Sequence, residues 1–262
     1  AVRYGSVLFY GKNLLEMGEK ELDEIRGNRI TMIFQDPLTS LNPVFTVGNQ
    51  ITESIRKHLH LSKEEAAKRA ESVLEKVGMP DAHAAMKKYP HTLSGGMRQR
   101  AMIAMALCCN PALLIADEPT TALDVTIQAQ IMSLLKELRE EIGMSIILIT
   151  HDIGLVASMA DRVLVMYAGQ IIEEAPAKEI FRAPRHPYTK ALLATVPSIY
   201  DGDDRELVSI PGIVPEGYDD IPGCRFADRC EYRRPECDKP QENYSFGEKH
   251  RAKCVVMKEE EK

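Results

Sequence analysis

The sequence has no surplus of basic residues. It contains 33 Lys and Arg against 39 Asp and Glu, which gives a formal net charge of −6 over 262 residues. Proteins that bind nucleic acid usually carry a positive balance, so the composition argues against a nucleic-acid partner. Hydrophobic residues (44%) and charged residues (27%) are present in the proportions of an ordinary globular protein.

Long apolar runs are also missing. No stretch approaches the roughly 20 apolar residues that a membrane-spanning helix needs, and no charged-then-apolar leader marks the chain for secretion. We therefore expect that, if the protein works at a membrane, it docks there through other proteins.

A third absence concerns phosphate binding. The sequence contains no G-x-x-x-x-G-K-[ST], the Walker A loop whose backbone amides cradle nucleotide phosphates. The chain starts at Ala1 rather than at Met, and it enters at once a strand-like alternation from Ser6 to Tyr10, which Gly11 ends. Such an opening is typical of the middle of a fold.

Strand-like and helical patterns alternate through the first 183 residues. The predicted strands include the apolar runs 30–34, 112–116, 145–149 and 162–166, and the predicted helices include 17–26, 47–60, 63–77, 97–109 and 127–141. This alternation predicts an α/β fold with a mainly parallel sheet. We assign residues 1–34 and 101–183 to the core and residues 35–100 to a helical insertion.

The last part of the chain has a different composition. Eight prolines punctuate residues 184–240, so long regular elements are not expected there. We predict a separate Pro-rich C-terminal appendage over residues 184–262. Four of the six cysteines lie in it: Cys224, Cys230, Cys237 and Cys254.

Two adjacent carboxylates follow the apolar run 112–116. In open α/β sheets ligands bind at the carboxyl ends of the strands, which is where Asp117 and Glu118 are expected. Asp117 is suited to hold magnesium, directly or through water, and Glu118 to polarise a water for attack on phosphate. Taken alone, the pair fits two exposed acids in a loop equally well.

Three further groups fit the same chemistry. Ser94, Gly95 and Gly96 open a helix, where backbone amides and the helix dipole favour an anion; alone, a simple N-cap explains them better. His151 follows the strand 145–149 at the same sheet edge, and Gln35 follows the strand ending at Phe34, from which it can reach a metal or the attacking water.

As a set, these residues resemble the ordered motifs of ABC-type ATPases over 117 residues. In chain order they are similar to the Q-loop (Gln35), the signature (Leu93-Ser94-Gly95-Gly96-Met97), Walker B (Asp117-Glu118-Pro119-Thr120), the D-loop (Ala122-Leu123-Asp124) and the H-loop (His151). The resemblance implies a P-loop NTPase-type fold, ATP as the nucleotide and Mg²⁺ as its cofactor. It also implies that a Walker A segment precedes Ala1.

The resemblance assigns a role to each residue. Asp117 would assist magnesium, Glu118 would be the catalytic base, and His151 would contact the γ-phosphate. Gln35 would couple the site to a transmembrane partner. The signature residues Ser94, Gly95 and Gly96 would bind ATP held mainly by a second ATPase subunit, with Asp124 at the interface between the two subunits.

Two segments narrow the resemblance to the importers of dipeptides, oligopeptides or nickel. These are Phe34 to Pro43, and Arg185 to Leu193 followed by Ile210-Pro211-Gly212 and Pro222 to Phe226. The implied partners are two permease subunits and, through them, an extracytoplasmic substrate-binding protein, at the cytoplasmic face of the membrane. Peptide and nickel stay open. The alternatives are a soluble ABC ATPase acting on DNA or ribosomes, and a non-catalytic ABC interaction module.

The four tail cysteines have the spacing C-x5-C-x6-C-x16-C. Four thiolates in a short segment suit a zinc ion or an iron–sulfur cluster, and disulfides do not suit the reducing cytosol in which such ATPases work. Since the tight C-x2-4-C pairs of zinc sites are lacking, we predict a four-iron four-sulfur cluster in preference to zinc.

Overall fold

The computed structural model describes residues 4–36, 40–121, 123–196 and 209–260. Two parts of the predicted motifs, residues 37–39 of the Q-loop segment and Ala122 of the D-loop, therefore lie outside the described residues. Contacts between elements divide the chain into two units, residues 1–151 and residues 152–262, and each is described by itself.

The first unit holds five strands and six helices among its described residues. The strands are β1 (Leu8–Phe9), β2 (Lys12–Asn13), β3 (Ile30–Ile33), β4 (Leu113–Asp117) and β5 (Ser145–Ile149). The helices are α1 (Glu19–Ile25), α2 (Val47–Leu59), α3 (Lys63–Lys76), α4 (Ala82–Met86), α5 (Gly95–Leu107) and α6 (Val125–Ile142).

A parallel sheet with the order β3-β4-β5 forms the centre of this unit. In its register Ile33 lies opposite Ala116, and Asp117 lies opposite Ile149. All three strands therefore end at one edge, as the apolar runs predicted. The apolar run 145–149 favours a buried strand, but β5 alternates between half-buried and exposed residues, with Ile147 50% and Ile149 47% exposed, so one face of it is uncovered among the described residues.

Polar side chains set the starts of several helices in this unit. Thr46 caps α2, Ser62 forms a capping box with Glu65 at the start of α3, and Ser94 caps α5. Behind these caps α2 to α5 pack on one another, with fully buried Ile51, Ile55, Leu74, Met102 and Ile103. Helices α2, α3 and α4 lie within the predicted insertion, while α5 continues past residue 100 into the segment assigned to the core, so the predicted boundary at residue 100 stays a prediction.

The second unit holds four strands and four helices among its described residues. The strands are β6 (Arg162–Tyr167), β7 (Gln170–Pro176), β8 (Tyr244–Ser245) and β9 (Arg251–Ala252). The helices are α7 (Ile153–Met159), α8 (Ala177–Arg182), α9 (Pro187–Ala194) and α10 (Val255–Glu260). The strands form an antiparallel sheet with the order β6-β7-β9-β8.

This second sheet differs from the sequence prediction in two respects. The strand predicted at 162–166 is present as Arg162–Tyr167, but it pairs antiparallel with β7 in this second sheet and does not extend the parallel sheet. The two-residue turn at Ala168-Gly169, with positive φ at both residues, explains the hairpin. β9, from the predicted appendage, pairs with β7, from the predicted core, while the predicted boundary at residue 184 stays a prediction.

Candidate functional site

Glu118 lies immediately beyond the carboxyl end of β4. Its backbone N–H donates to the carbonyl of Ile149 on β5 over 2.9 Å, which carries the strand pairing one residue past Asp117. The φ angle of Glu118 is 44°, a left-handed value that non-glycine residues seldom adopt. Backbone strain of this kind concentrates at functional sites, so the geometry singles out Glu118 within the loop.

Three side chains converge on the Glu118 carboxylate. The amide of Gln35 donates to Oε2 over 2.6 Å, and the hydroxyl of Thr121 donates to the same oxygen over 2.9 Å. The Nδ1 nitrogen of His151 lies 2.9 Å from Oε1. Because an ionised carboxylate only accepts, Nδ1 of His151 carries the proton of this bond. The structure thus joins the predicted residues Gln35, Glu118 and His151 in one cluster.

These bonds also determine the charge of Glu118. The hydrogen bond from His151, followed by that from Thr121, holds the pKa of Glu118 below its ordinary value, although desolvation acts in the opposite direction. The side chain keeps 23% of its surface exposed. Glu118 is therefore an ionised, solvent-accessible carboxylate in a fixed orientation, which is the state required of a general base.

Asp117 is the last residue of β4 and is half-buried. It precedes Glu118 at the sheet edge, so its carboxylate and the Glu118 cluster belong to the same edge. A hard oxygen ligand at this place fits a magnesium ion that keeps most of its waters. Its role in magnesium binding stays a prediction.

The signature residues begin α5. The Ser94 hydroxyl accepts a hydrogen bond from the N–H of Met97 over 3.4 Å, as an N-cap does. A Cβ on Gly96 would stand 3.3 Å from Ile127 of α6, and one on Gly95 would stand 3.8 Å from Leu123. The start of α5 therefore packs on the segment that leads into α6. ATP binding by Ser94, Gly95 and Gly96 stays a prediction.

Asp124 begins α6. Its carboxylate accepts a hydrogen bond from the N–H of Ile127 over 2.9 Å, so it caps the helix. The neighbouring Val125 is 82% exposed. An exposed position at a helix start is compatible with the predicted subunit interface, which stays a prediction.

Sequence reasoning missed Thr121 at this site. It lies three residues after Glu118, and the turn in which its N–H donates to the Glu118 carbonyl over 3.2 Å brings its hydroxyl to the carboxylate. A Thr three residues beyond an acid is a weak signal, because only the turn geometry gives it a partner.

The four tail cysteines line one small cavity together with His186. Its free volume is about 10 Å³, room for about one water molecule. Burial raises the pKa of Cys224 to about 11 and raises the pKa of Cys230 and Cys254, so these are protonated thiols rather than thiolates.

This arrangement does not support the predicted metal site. Within the described part of the chain, no three His, Cys, Asp or Glu side chains form a group that could hold a metal ion. The four-iron four-sulfur cluster and the zinc alternative are therefore not supported by the described residues, and the four cysteines as metal ligands stay a prediction.

Comparisons with known families agree with the two-part organisation. Residues 2–121 match the family described as ABC transporter. Residues 172–237 match the family described as the C-terminal region of oligopeptide/dipeptide transporters. The second match begins within β7 and includes the cavity cysteines Cys224, Cys230 and Cys237.

Several named proteins are similar to this one over most of the chain. A probable peptide ABC transporter ATP-binding protein of Sinorhizobium fredii is 53% identical over 87% of this chain and 68% of its own length. A putative peptide import ATP-binding protein of Brucella abortus is 51% identical over 95% of this chain and 75% of its own length. The oligopeptide transport ATP-binding protein OppD of Bacillus subtilis is 56% identical over 87% of this chain and 64% of its own length.

Solved structures give the same fold. The ATP-binding cassette MJ0796, in a dimeric post-hydrolysis state bound to ADP and Pi, superposes with a TM-score of 0.60. The two sequences are 31% identical, and the superposition covers 66% of this chain and 74% of the MJ0796 chain. The cbiO1 protein of Clostridium perfringens, part of an ABC transporter complex, gives 0.59 at 33% identity, covering 69% of each chain.

The described helices include none that combines the length and apolar character needed to cross a bilayer. These comparisons leave the predicted Walker A segment before Ala1 a prediction. The sequence motifs, the cassette fold and relatives more than 50% identical agree on one conclusion. The chain belongs to the ATP-binding, ATP-hydrolysing subunits of ABC transporters, in the group that carries the oligopeptide/dipeptide transporter C-terminal region.

Proposed function

We propose that this subunit hydrolyses ATP to drive uptake of dipeptides or oligopeptides through permease subunits. The observation that carries the proposal is the Glu118 carboxylate, held ionised by Gln35, Thr121 and His151 at the end of a parallel strand. The peptide assignment rests on the C-terminal region and on the names of the relatives.

In this proposal Glu118 accepts the proton of the attacking water. The two carboxylate oxygens have different partners. Oε1 accepts a hydrogen bond from His151, and Oε2 accepts hydrogen bonds from Gln35 and Thr121. His151 is 78% exposed, so its Nε2 edge is accessible to a phosphate oxygen, to which it donates when both ring nitrogens carry a proton. A water between the carboxylate and a phosphate would then be oriented before reaction, as phosphoryl transfer requires.

Magnesium neutralises charge on the transferring phosphates when it is bound. Asp117, beside Glu118 at the same strand end, is the residue proposed to hold it. Glu118 remains free for the water because Asp117 takes the metal.

The signature residues are proposed to serve a second ATPase subunit. Ser94 caps α5, and the N-terminal amides and dipole of this 13-residue helix favour an anion. ATP held by the opposite subunit would meet this helix start, with Asp124 close to the interface. The proposed partner is an identical or a homologous ATPase subunit.

Permease docking is proposed for an apolar patch formed by Val44, Phe45 and Tyr89. These side chains are 71%, 50% and 42% exposed, and the bond from the Val47 N–H to the Lys88 carbonyl brings the two segments together. The Gln50 amide donates to the carbonyls of Asn42 and Phe45 and so fixes the loop. Exposed apolar patches mark interaction sites, and this docking would place the subunit at the cytoplasmic face.

The test replaces Glu118 by Gln in the assembled transporter. Loss of a catalytic base lowers turnover by about 10² to 10⁴, while ATP binding should be retained because the amide has nearly the same shape. The matched control is Glu137→Gln on α6, whose carboxylate accepts only from Ser133 in the described contacts. Wild-type turnover in Glu118→Gln would reject the proposal.

Uptake measurements distinguish peptides from nickel as the transported substrate. ATP-dependent accumulation of a labelled tripeptide in proteoliposomes, lost in Glu118→Gln, is the expected result. Accumulation of nickel without accumulation of peptide would show that the transporter imports nickel instead of peptides. Full ATPase activity with no accumulation of either, and no association with permease subunits, would favour the soluble ABC ATPase alternative.

We also propose that Cys224, Cys230, Cys237 and Cys254 ligate one metal centre, with an iron–sulfur cluster preferred to zinc. The favouring observation is that four thiols, distributed over 31 residues of mainly irregular structure, line a single cavity. Binding would require the thiols to ionise and to move apart. Four thiolates would then supply a complete ligand set.

Metal analysis of protein purified without oxygen tests this second proposal. We expect iron and acid-labile sulfide, with loss of both in Cys230→Ser and retention in Cys108→Ser, a buried cysteine outside the cavity. One zinc without sulfide would keep the ligands and reject the cluster. Neither metal, with four titratable thiols, would reject the centre.

A further inference from the structure

The catalytic loop has a conformation that its own sequence does not favour. Glu118 has a φ of 44°, and the residue after it is Pro119. A residue before proline is normally extended, and a non-glycine residue with positive φ is uncommon. Such a backbone persists only where surrounding contacts hold it. The contacts on each side of Glu118 therefore determine where its carboxylate points.

Local bonds hold one side of this loop. The Glu118 N–H is bound to Ile149, and the N–H of Thr121 returns to the Glu118 carbonyl. The carbonyl of Pro119 accepts a hydrogen bond from outside the loop: the side-chain amide of Gln99 on α5 donates to it. Gln99 is 2% exposed, so the bond is shielded from water.

A buried amide directed at this carbonyl is costly to leave unpaired. Polar groups removed from water are destabilising unless they are hydrogen-bonded. The position of Gln99 in the helix and the position of Pro119 in the loop therefore depend on each other. Since Pro119 is covalently joined to Glu118, fixing its carbonyl restricts the peptide that carries the catalytic carboxylate.

We propose that Gln99 is a positioning residue for hydrolysis, whose amide fixes the Pro119 carbonyl and thereby keeps the Glu118 carboxylate on His151 and Gln35. The inference rests on the proposed role of Glu118. It adds that the helix opened by Ser94 contacts the catalytic loop of the same chain. Gln99 lies four residues after Gly95, about 6 Å along the helix.

This placement has a consequence for communication between nucleotides. The start of α5 is the proposed contact for ATP held by the opposite subunit, and Gln99 holds the loop that hydrolyses this subunit's own ATP. A displacement of α5 on nucleotide binding moves the Gln99 amide and hence the Pro119 carbonyl. The helix α5 would thus couple the nucleotide site of the opposite subunit to the nucleotide site of this subunit.

The test compares Gln99→Met with Gln99→His in the assembled transporter. Met keeps the length of the side chain and removes the donor, so kcat should fall by about 10² while the KM for ATP is unchanged, as for a misplaced catalytic group. His offers a ring N–H at similar reach and should recover most of the loss. Gln130→Met is the control, because Gln130 accepts from Arg100 and is exposed.

Each outcome decides the inference. A folded Gln99→Met with wild-type kcat would overturn it, and so would a Gln99→His as slow as Gln99→Met, because packing rather than the hydrogen bond would then matter. If Gln99→Met does not fold, Gln99→Asn takes its place, since its amide falls one methylene short of the carbonyl. Glu118→Gln, measured in parallel, separates failure of this inference from failure of the proposed function.

Discussion

The pH at which Glu118 can accept a proton depends on its neighbours. His151 and Thr121, in that order, hold the pKa of Glu118 below its ordinary value. A base must be deprotonated to act, so a lowered pKa extends activity to lower pH. Each hydrogen bond removed moves the pKa back upward, and the acid limb of the pH–rate profile follows it.

Thr121→Val isolates one of these bonds. The variant keeps the shape of the side chain and loses the hydroxyl that donates to Oε2 over 2.9 Å. We expect the acid limb of kcat to shift to higher pH, with little change above neutrality, where Glu118 is ionised in both proteins. Thr121→Ser keeps the hydroxyl and should retain the wild-type profile. An unchanged profile in Thr121→Val would show that this bond does not tune Glu118.

At the scale of elements, helix starts serve both folding and the site. Ser94 and Asp124 cap α5 and α6 with their own side chains. These caps satisfy backbone N–H groups that a helix leaves unpaired at its beginning. Both residues were predicted from motif resemblance to contact nucleotide or a partner, so their substitution affects stability as well as function.

Asp124 permits the two contributions to be separated. Asp124→Ala removes the cap and should lower the free energy of unfolding by about 1 kcal/mol, measured by urea denaturation. Asp124→Asn keeps an oxygen acceptor and should retain most of the stability. If the carboxylate also serves the subunit interface, Asp124→Asn weakens ATP-dependent dimerisation without unfolding the chain. Normal stability in Asp124→Ala would contradict the capping role.

Close backbone packing holds the cysteine segment. A Cβ on Gly223 would stand 2.3 Å from the Cys237 carbonyl oxygen, which no side-chain rearrangement relieves. The N–H of Cys224 donates to the same carbonyl over 2.8 Å. This glycine is therefore required for the approach of two segments that carry cavity cysteines.

Gly223→Ala should separate these segments. Overpacking typically costs about 1–3 kcal/mol, and Cys237, buried in the wild type, should react faster with a thiol reagent. Gly95→Ala, where a Cβ would make an ordinary 3.8 Å contact, is the stability control. Equal thiol reactivity in Gly223→Ala and wild type would contradict the expected clash.

At the scale of the whole molecule, the two units have separate cores. The parallel sheet and helices of residues 1–151 carry the Glu118 cluster. The antiparallel sheet of residues 152–262 packs around Tyr167, Ile172 and Phe226. Hydrolysis and permease docking are both proposed for the first unit. Transport therefore requires the permease subunits to bind this unit.

Phe45→Asp tests the docking patch. Phe45 is 50% exposed, so a charge there costs the isolated subunit little, but it would be buried against a permease. We expect ATP binding to be retained and peptide transport to be lost, with weaker co-purification of the permease subunits. Lys57→Asp, on the exposed surface of α2, is the control. Undiminished transport in Phe45→Asp would exclude the patch as the docking site.

The sequence alone determined the order of the motifs and most local structure. The apolar run before Asp117 predicted β4, which spans Leu113–Asp117, and Ser94 indicated the start of α5. Such features follow from nearby residues, because side-chain periodicity, capping hydroxyls and turn residues act over a few positions. The expectation that Glu118 and His151 share a sheet edge is also confirmed, because neighbouring parallel strands end at the same edge.

Only the tertiary structure decided which partners meet over long separations. Gln35 lies 83 residues before the carboxylate to which it donates, and Gln99 reaches Pro119 from another helix. The pairing of β7 with β9 and the narrow cysteine cavity were likewise not predictable. Periodicity states which face of an element is apolar, but the closeness of two side chains depends on strand register, helix placement and packing of the whole unit.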